Sequence, residues 1–259
     1  MLPIPLPTLL PGLLQLAKEA GRAIMQVYNQ PASFTQVTLK SDQSPLTQAD
    51  QAAHDIIAAG LAALTPGVPV LSEEGKLVPY EERRTWEFYW CVDPLDGTKE
   101  FIGRNGEFTV NIALIVNNVP IAGIIYAPVT DELYYTDGQN GAYKQAGTKA
   151  EEKLQVSGKT EKLVVVKSRS HSTPEEITFL EQFPVATEIR IGSSLKFCLI
   201  AEGKAQLYFR HGPTMEWDTA AGQAILAQAG GQLTSPTGEP FQYNKPSLVN
   251  GSFLCTSWQ

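Results

Sequence analysis

Two long apolar runs, FTVNIALIV and PIAGIIYAPV, stand on either side of Asn117 and Asn118. Asparagine tolerates the left-handed backbone that a tight hairpin demands, so this pair of runs reads as two antiparallel strands. ELYYT and GAYK, on either side of DGQNG, repeat the arrangement, and residues 108 to 145 together predict an antiparallel meander. After it comes a polar stretch, AGTKAEEKLQVSGKTEK, and the pattern changes. Strand-like KLVVVKS, EIRIG, AQLYF and GQLTS alternate with helix-like PEEITFLEQF, SSLKFCLIAEG and DTAAGQAILAQAG, the signature of an α/β lobe. The chain therefore divides into an α+β lobe, residues 1–155, and an α/β lobe, residues 156–259.

Ahead of the meander, Leu13, Leu16, Ala17, Ala20, Ile24 and Val27 recur at helical spacing, which predicts a first helix over residues 12–28. The preceding MLPIPLPTLLPG has no basic leader and is broken by prolines, so it reads as a capping segment. Its apolar character leaves peripheral contact with a membrane face open, but no run in the chain reaches spanning length. Thr47 with Asp50 three residues on has the form of a capping box opening a second helix. A net charge of −7 excludes a general nucleic-acid binder, since the basic footprint is missing. Cys91, Cys198 and Cys255 are odd in number, widely spaced and set among apolar residues. That pattern fits reduced cysteines of a cytoplasmic protein.

The chemistry concentrates at strand ends. The apolar run EFYWCV stops at Asp93 and Asp96, with Pro94 and Leu95 between them and Gly97-Thr98 after. Glu73 follows the strand-like PVLS, and Asp218 opens the helix WDTAAG. Carboxylates at strand ends of an α/β layout face the ligand crevice, and hard oxygen ligands suit Mg²⁺ or Mn²⁺. Pro94 fixes φ and predicts a turn that makes both aspartates converge, with the Leu95 carbonyl as a further ligand. Gly97 permits close backbone approach, and Thr98 opens a helix whose N–H groups suit an anion. Two cations roughly 4 Å apart would clamp a phosphoryl transfer. Taken singly, each signal is ordinary: DPLDG is a common turn, Asp50 a favourable first-turn charge, Glu73-Glu74 a solvated corner and Asp218 a cap. Their joint occurrence is what points to a site. An acidic dyad for glycoside hydrolysis would leave the Gly-Thr cradle without a purpose.

DPLDGTKEF, SEEG and WDTAAG, in this order along the chain, resemble the inositol monophosphatase superfamily of Mg²⁺-dependent, lithium-sensitive phosphatases. RNGEFTVNIALI and IGSSLKFCLIAEG resemble its bacterial 3′(2′),5′-bisphosphate nucleotidase branch, which converts 3′-phosphoadenosine 5′-phosphate to AMP and phosphate in sulfate assimilation. The resemblance implies a layered αβαβα sandwich and a monomeric enzyme. It implies that Glu73, Asp93 and the Leu95 carbonyl hold one Mg²⁺, and that Asp93, Asp96 and Asp218 hold a second. A weaker third ion would lie near Glu73. Thr98, paired with Asp50, would activate the attacking water, and the Gly97 and Thr98 N–H groups would bind the scissile phosphate.

Nucleotide-active relatives imply His171, Ser193, Lys196 and Arg210 as contacts for the second phosphate and the nucleotide. Gly192-Ser193-Ser194 is placed at a strand-to-helix junction, a natural phosphate site. Lys196 in the first turn of a helix is unfavourable unless an anion offsets it. An inositol monophosphatase shares the metal chemistry but has less need of Lys196 and Arg210. A nucleotide sensor without turnover would not need Thr98 and Asp50 together.

Overall fold

The computed structural model describes residues 5–31, 37–39, 45–170 and 173–258. Its larger sheet follows the chain strand by strand: Val70–Ser72, Phe88–Asp96, Thr109–Val116, Val119–Ala127, Glu132–Thr136, Ala142–Ala146 and Glu152–Lys153. The first two strands are parallel and every later pair is antiparallel. Asn117 and Asn118 take φ of 49° and 65° between the two long central strands, the conformation a two-residue hairpin requires.

Alternation along a strand sends successive side chains to opposite faces. Trp90 and Val92 join the core beneath the helices Leu6–Tyr28 and Gln48–Leu64. Tyr89 and Cys91 join the core beneath the helix Glu216–Gln228. That helix lies very close to the sheet at Gly123, where a Cβ would come within 2.4 Å of the Ala221 carbonyl oxygen.

The smaller sheet has the order Val185–Ile191, Leu163–Ser168, Leu207–Arg210, Phe253–Thr256 and Gln232–Thr234. Its first three strands are parallel and are linked through the helices Pro174–Leu180 and Leu195–Ala201. Phe197 and Ile200 pack on one face beside Leu226 of the Glu216–Gln228 helix. Leu180 packs on the other face against Val165, Leu207 and Phe209. The layers are therefore helix pair, sheet, helix pair, sheet, helix, the αβαβα sandwich expected.

The first helix starts at Leu6, earlier than residue 12, and takes Pro7 and Pro11 into it. Pro7 lies in the first turn, where an N–H has no intrahelical partner to lose. Pro11 lacks the N–H that would reach the Pro7 carbonyl, a real cost. Leu6, Leu9 and Leu13 are buried at helical spacing, and that burial outweighs it. Nor does Pro94 make a turn: the strand runs on to Asp96, with its register broken between Asp93 and Asp96. A proline cannot donate to the ladder, so the strand bulges instead of ending. Among the described residues, no helix is long and apolar enough to cross a membrane.

Candidate active site

Asp93 is 2% exposed at the bulged end of its strand. Glu73 leaves the neighbouring parallel strand, its N–H donating to the Val92 carbonyl at 3.1 Å. Asp218 sits in the first turn of the Glu216–Gln228 helix, where its Oδ2 accepts from the Met215 N–H at 2.8 Å. Each of the three offers a carboxylate oxygen within 4.8 Å of the others. Burial pushes the Asp93 carboxyl well above the usual range, and Glu73, Asp96, Asp218 and Asp50 each push it further. Asp218 is raised in the same way, by burial and then by Asp96 and Glu73. Buried carboxylates that raise one another are costly, and a divalent cation relieves that cost. An all-oxygen donor set of this kind fits Mg²⁺ or Mn²⁺.

Asp96 stands apart from this trio. Its Oδ2 accepts from Ser194 Oγ at 2.7 Å and from Asn111 Nδ2 at 3.3 Å. Burial raises its pKa, opposed by Lys196 and by those two hydrogen bonds. The Leu95 N–H donates to Asp93 Oδ1 at 3.0 Å, which bends the bulge back on itself.

Thr98 Oγ1 donates to Asp50 Oδ1 at 3.2 Å. Asp50 Oδ2 accepts from Thr47 N–H at 2.8 Å and Thr47 Oγ1 at 2.5 Å, so the capping box holds one oxygen and turns the other toward Thr98. Gly97 has φ of 95°, and a Cβ there would meet the Glu107 carbonyl at 3.1 Å and Ser193 Cβ at 3.3 Å. Only glycine fits both restrictions.

One cavity of about 630 Å³ is lined by Glu73, Asp93, Leu95, Asp96, Gly97, Thr98 and Asp218 together with Ser193, Lys196 and Arg210. Lys196 is buried: its Nζ donates to the Ser193 carbonyl at 2.5 Å and lies 5.5 Å from the Tyr208 ring centre. Burial lowers its pKa, Asp96 opposes that and Arg210 adds to it. Arg210 is buried beside Glu176, with Nη1 to Oε1 at 3.5 Å. Ser193 has φ of 47° and a buried hydroxyl with no hydrogen-bond partner among the described residues.

Ser194 does not line this cavity; its hydroxyl is held by Asp96, Asn111 and the Asp218 carbonyl. It supports the site instead of facing a ligand, because the helix it precedes turns it toward the larger sheet. His171 lies outside the described residues. The structure adds Ser168, Ser170, Tyr208 and His211 to the lining. It also adds Asn111 behind Asp96, whose signal was a lone amide within the apolar run FTVNIALIV. Tyr208 and His211 left no such mark, since their facing depends on where the smaller sheet meets the larger.

Comparison with known proteins identifies the family. The sequence profile described as "Inositol monophosphatase family" matches residues 7–258. The 3′(2′),5′-bisphosphate nucleotidase CysQ of Salmonella typhimurium is 49% identical over 243 residues, covering 93% of this chain and 97% of that protein. Its counterpart in Escherichia coli K12 is 50% identical over 240 residues, covering 92% and 96%. Among solved structures, CysQ from Bacteroides thetaiotaomicron superposes with a TM-score of 0.83 at 44% identity, over 94% of this chain and 95% of that one. The inositol monophosphatase from Anabaena superposes with 0.75 at 25% identity, over 98% and 91%. By profile, sequence and fold alike, the chain belongs to the inositol monophosphatase family.

Proposed function

We propose that this protein is a metal-dependent 3′(2′),5′-bisphosphate nucleotidase that hydrolyses the 3′-phosphate of 3′-phosphoadenosine 5′-phosphate, and also of its 5′-phosphosulfate analogue. The products are the 3′-hydroxyl nucleotide and inorganic phosphate. The observation that carries this reading is a single cavity holding a buried carboxylate cluster together with buried Lys196 and Arg210. A substrate with one phosphate to cleave and a second to anchor uses both halves. The relatives that share about half of this sequence are named as such nucleotidases, whereas the inositol monophosphatase of Anabaena shares a quarter.

Glu73, Asp93, Asp96, Asp218 and the Leu95 carbonyl would hold two Mg²⁺ ions, with a weaker third near Glu73; Mn²⁺ suits the same oxygens. When bound, the ions supply Lewis acidity toward the phosphoryl group. Thr98, its proton engaged by Asp50, is oriented to accept a hydrogen bond from the attacking water, and Asp50 is the final holder of the displaced proton. The Gly97 and Thr98 N–H groups hold the scissile phosphate. Ser193, Lys196 and Arg210 grip the second phosphate, where burial strengthens charge-assisted contacts. His171 joins them on sequence grounds alone. Water displaces the ester oxygen directly, with no covalent enzyme intermediate, and the departing 3′-oxygen takes its proton from solvent water. The acidic cluster then comes from the lobe at residues 1–155 plus Asp218, and the second-phosphate contacts from the lobe at residues 156–259. We place this activity in a monomeric, cytoplasmic enzyme that recycles a nucleotide by-product of sulfate assimilation.

Phosphate release with Mg²⁺ from 3′-phosphoadenosine 5′-phosphate and from inositol 1-phosphate, each with and without lithium, tests the reading. A strong, lithium-inhibited preference for the nucleotide is expected. A preference for inositol 1-phosphate would overturn the substrate assignment, and tight nucleotide binding without release would overturn catalysis.

A further inference from the structure

Glu107 lies just beyond the metal-ligand motif, in the loop entering the strand Thr109–Val116 of the larger sheet. Its carboxylate is occupied by the smaller sheet. Oε2 accepts from the Gly192 N–H at 2.8 Å and from Arg169 Nε at 2.6 Å, and Oε1 accepts from Arg169 Nη2 at 2.5 Å. Arg169 Nη2 also donates to the Arg190 carbonyl at 2.9 Å. One side chain from the larger sheet therefore gathers the ends of two adjacent parallel strands, Leu163–Ser168 and Val185–Ile191, in the smaller one.

What those ends carry gives the contact its meaning. Gly192 leads into Ser193, whose φ of 47° is unusual outside glycine, then into Ser194 and Lys196. On the other side, the Glu107 carbonyl and Ser193 Cβ both press on Gly97, at 3.1 and 3.3 Å from where its Cβ would be. The groups for the scissile phosphate and those for the second phosphate thus meet across Glu107. An exposed ion pair by itself contributes little. A fork-to-fork Arg–carboxylate pair that also accepts a backbone N–H sets geometry as well as energy.

We propose that Glu107 and Arg169 form a clamp that fixes the spacing between the two phosphate subsites, making them positioning residues for selection of a bisphosphate over a monophosphate. This role presupposes the bisphosphate reading above. Glu107→Gln keeps the shape but turns an amide donor toward either the guanidinium or the Gly192 N–H, so the clamp opens. Arg169→Gln, at a half-exposed side chain, opens it from the other side.

The test is steady-state kinetics on 3′-phosphoadenosine 5′-phosphate and on 3′-AMP, which differ only in the 5′-phosphate. Each single variant should raise KM for the bisphosphate about tenfold and change KM and kcat for 3′-AMP by less than about twofold. The double variant should be no worse than the worse single one, because both remove the same clamp. Equal losses on the two substrates would mark the pair as merely structural and overturn the inference. A wild-type preference for the bisphosphate that survives both substitutions would overturn it alone. A wild-type enzyme with equal KM for the two substrates would overturn the bisphosphate reading and this inference together.

Discussion

Ser194 Oγ lies 2.7 Å from Asp96 Oδ2, joining the helix junction of the smaller sheet to the carboxylate that ends the bulged strand of the larger one. Asn111 Nδ2 donates to the same hydroxyl at 2.9 Å, and Thr109 Oγ1 donates to Asn111 Oδ1 at 3.0 Å. The chain of hydrogen bonds holds Oδ2 of Asp96 in place, and the proposed function gives the carboxylate to a metal ion. Ser194→Ala should therefore raise the Mg²⁺ concentration for half-maximal activity by about tenfold, the scale of outer supporting groups at metal sites. Calorimetric titration of Mg²⁺ into the protein checks the same shift without turnover. An unchanged Mg²⁺ requirement would remove the supporting role.

Asp93 is crowded by four other carboxylates. Asp93→Asn should lower kcat by roughly 10³-fold or more, as loss of one preorganised site group does. In chelator the same variant should melt at a higher temperature than wild type, since one buried repulsive charge is gone. Added Mg²⁺ should then stabilise it less than it stabilises wild type. Thermal unfolding with chelator and with Mg²⁺ decides the point, and a variant less stable than wild type in chelator would contradict the crowding.

Thr98 Oγ1 donates to Asp50 Oδ1 at 3.2 Å, and the proposed function gives proton handling to this pair. Thr98→Ala should lower kcat by about 10²–10⁴ with little change in KM, and Thr98→Ser should restore most of it. Steady-state kinetics of the two variants would refute the assignment if KM alone suffered.

Gly123 allows the helix that carries Asp218 to rest on the larger sheet, with Ala221 O at 2.4 Å from where a Cβ would sit. Gly123→Ala forces backbone apart in a packed layer, at a cost of about 1–3 kcal/mol. Denaturant unfolding should register that loss, and the displaced Asp218 should weaken Mg²⁺ activation. A variant as stable as wild type would mean that the layer yields easily.

The ordering of elements was legible in the amino acids because it rests on local chemistry. Apolar runs on either side of turn residues predicted the meander, Asn117-Asn118 its hairpin, and Thr47 with Asp50 a capping box that the structure contains. The motifs DPLDGT, SEEG and WDTAAG named three carboxylates that do meet, although Glu73 and Asp218 are far apart in the chain. Local signals misled where packing overrides propensity. The proline-broken MLPIPLPTLLPG was read as a capping segment ahead of a helix starting at residue 12, yet the burial of Leu6, Leu9 and Leu13 carries the helix through Pro11.

Tertiary structure alone decided which way each residue near the site faces. Ser193 and Ser194 are neighbours of identical chemistry, but one lines the cavity and the other turns away to Asp96. The two differ in backbone conformation: Ser193 has the left-handed φ of 47°, whereas Ser194 is right-handed at −72°. Glu107 and Arg169 drew no notice in the sequence for the same reason: they meet each other and Gly192 only across the junction of two sheets. A sequence specifies which groups are present and their local conformation. Their convergence is a property of the packed layers, where burial and steric exclusion select one arrangement.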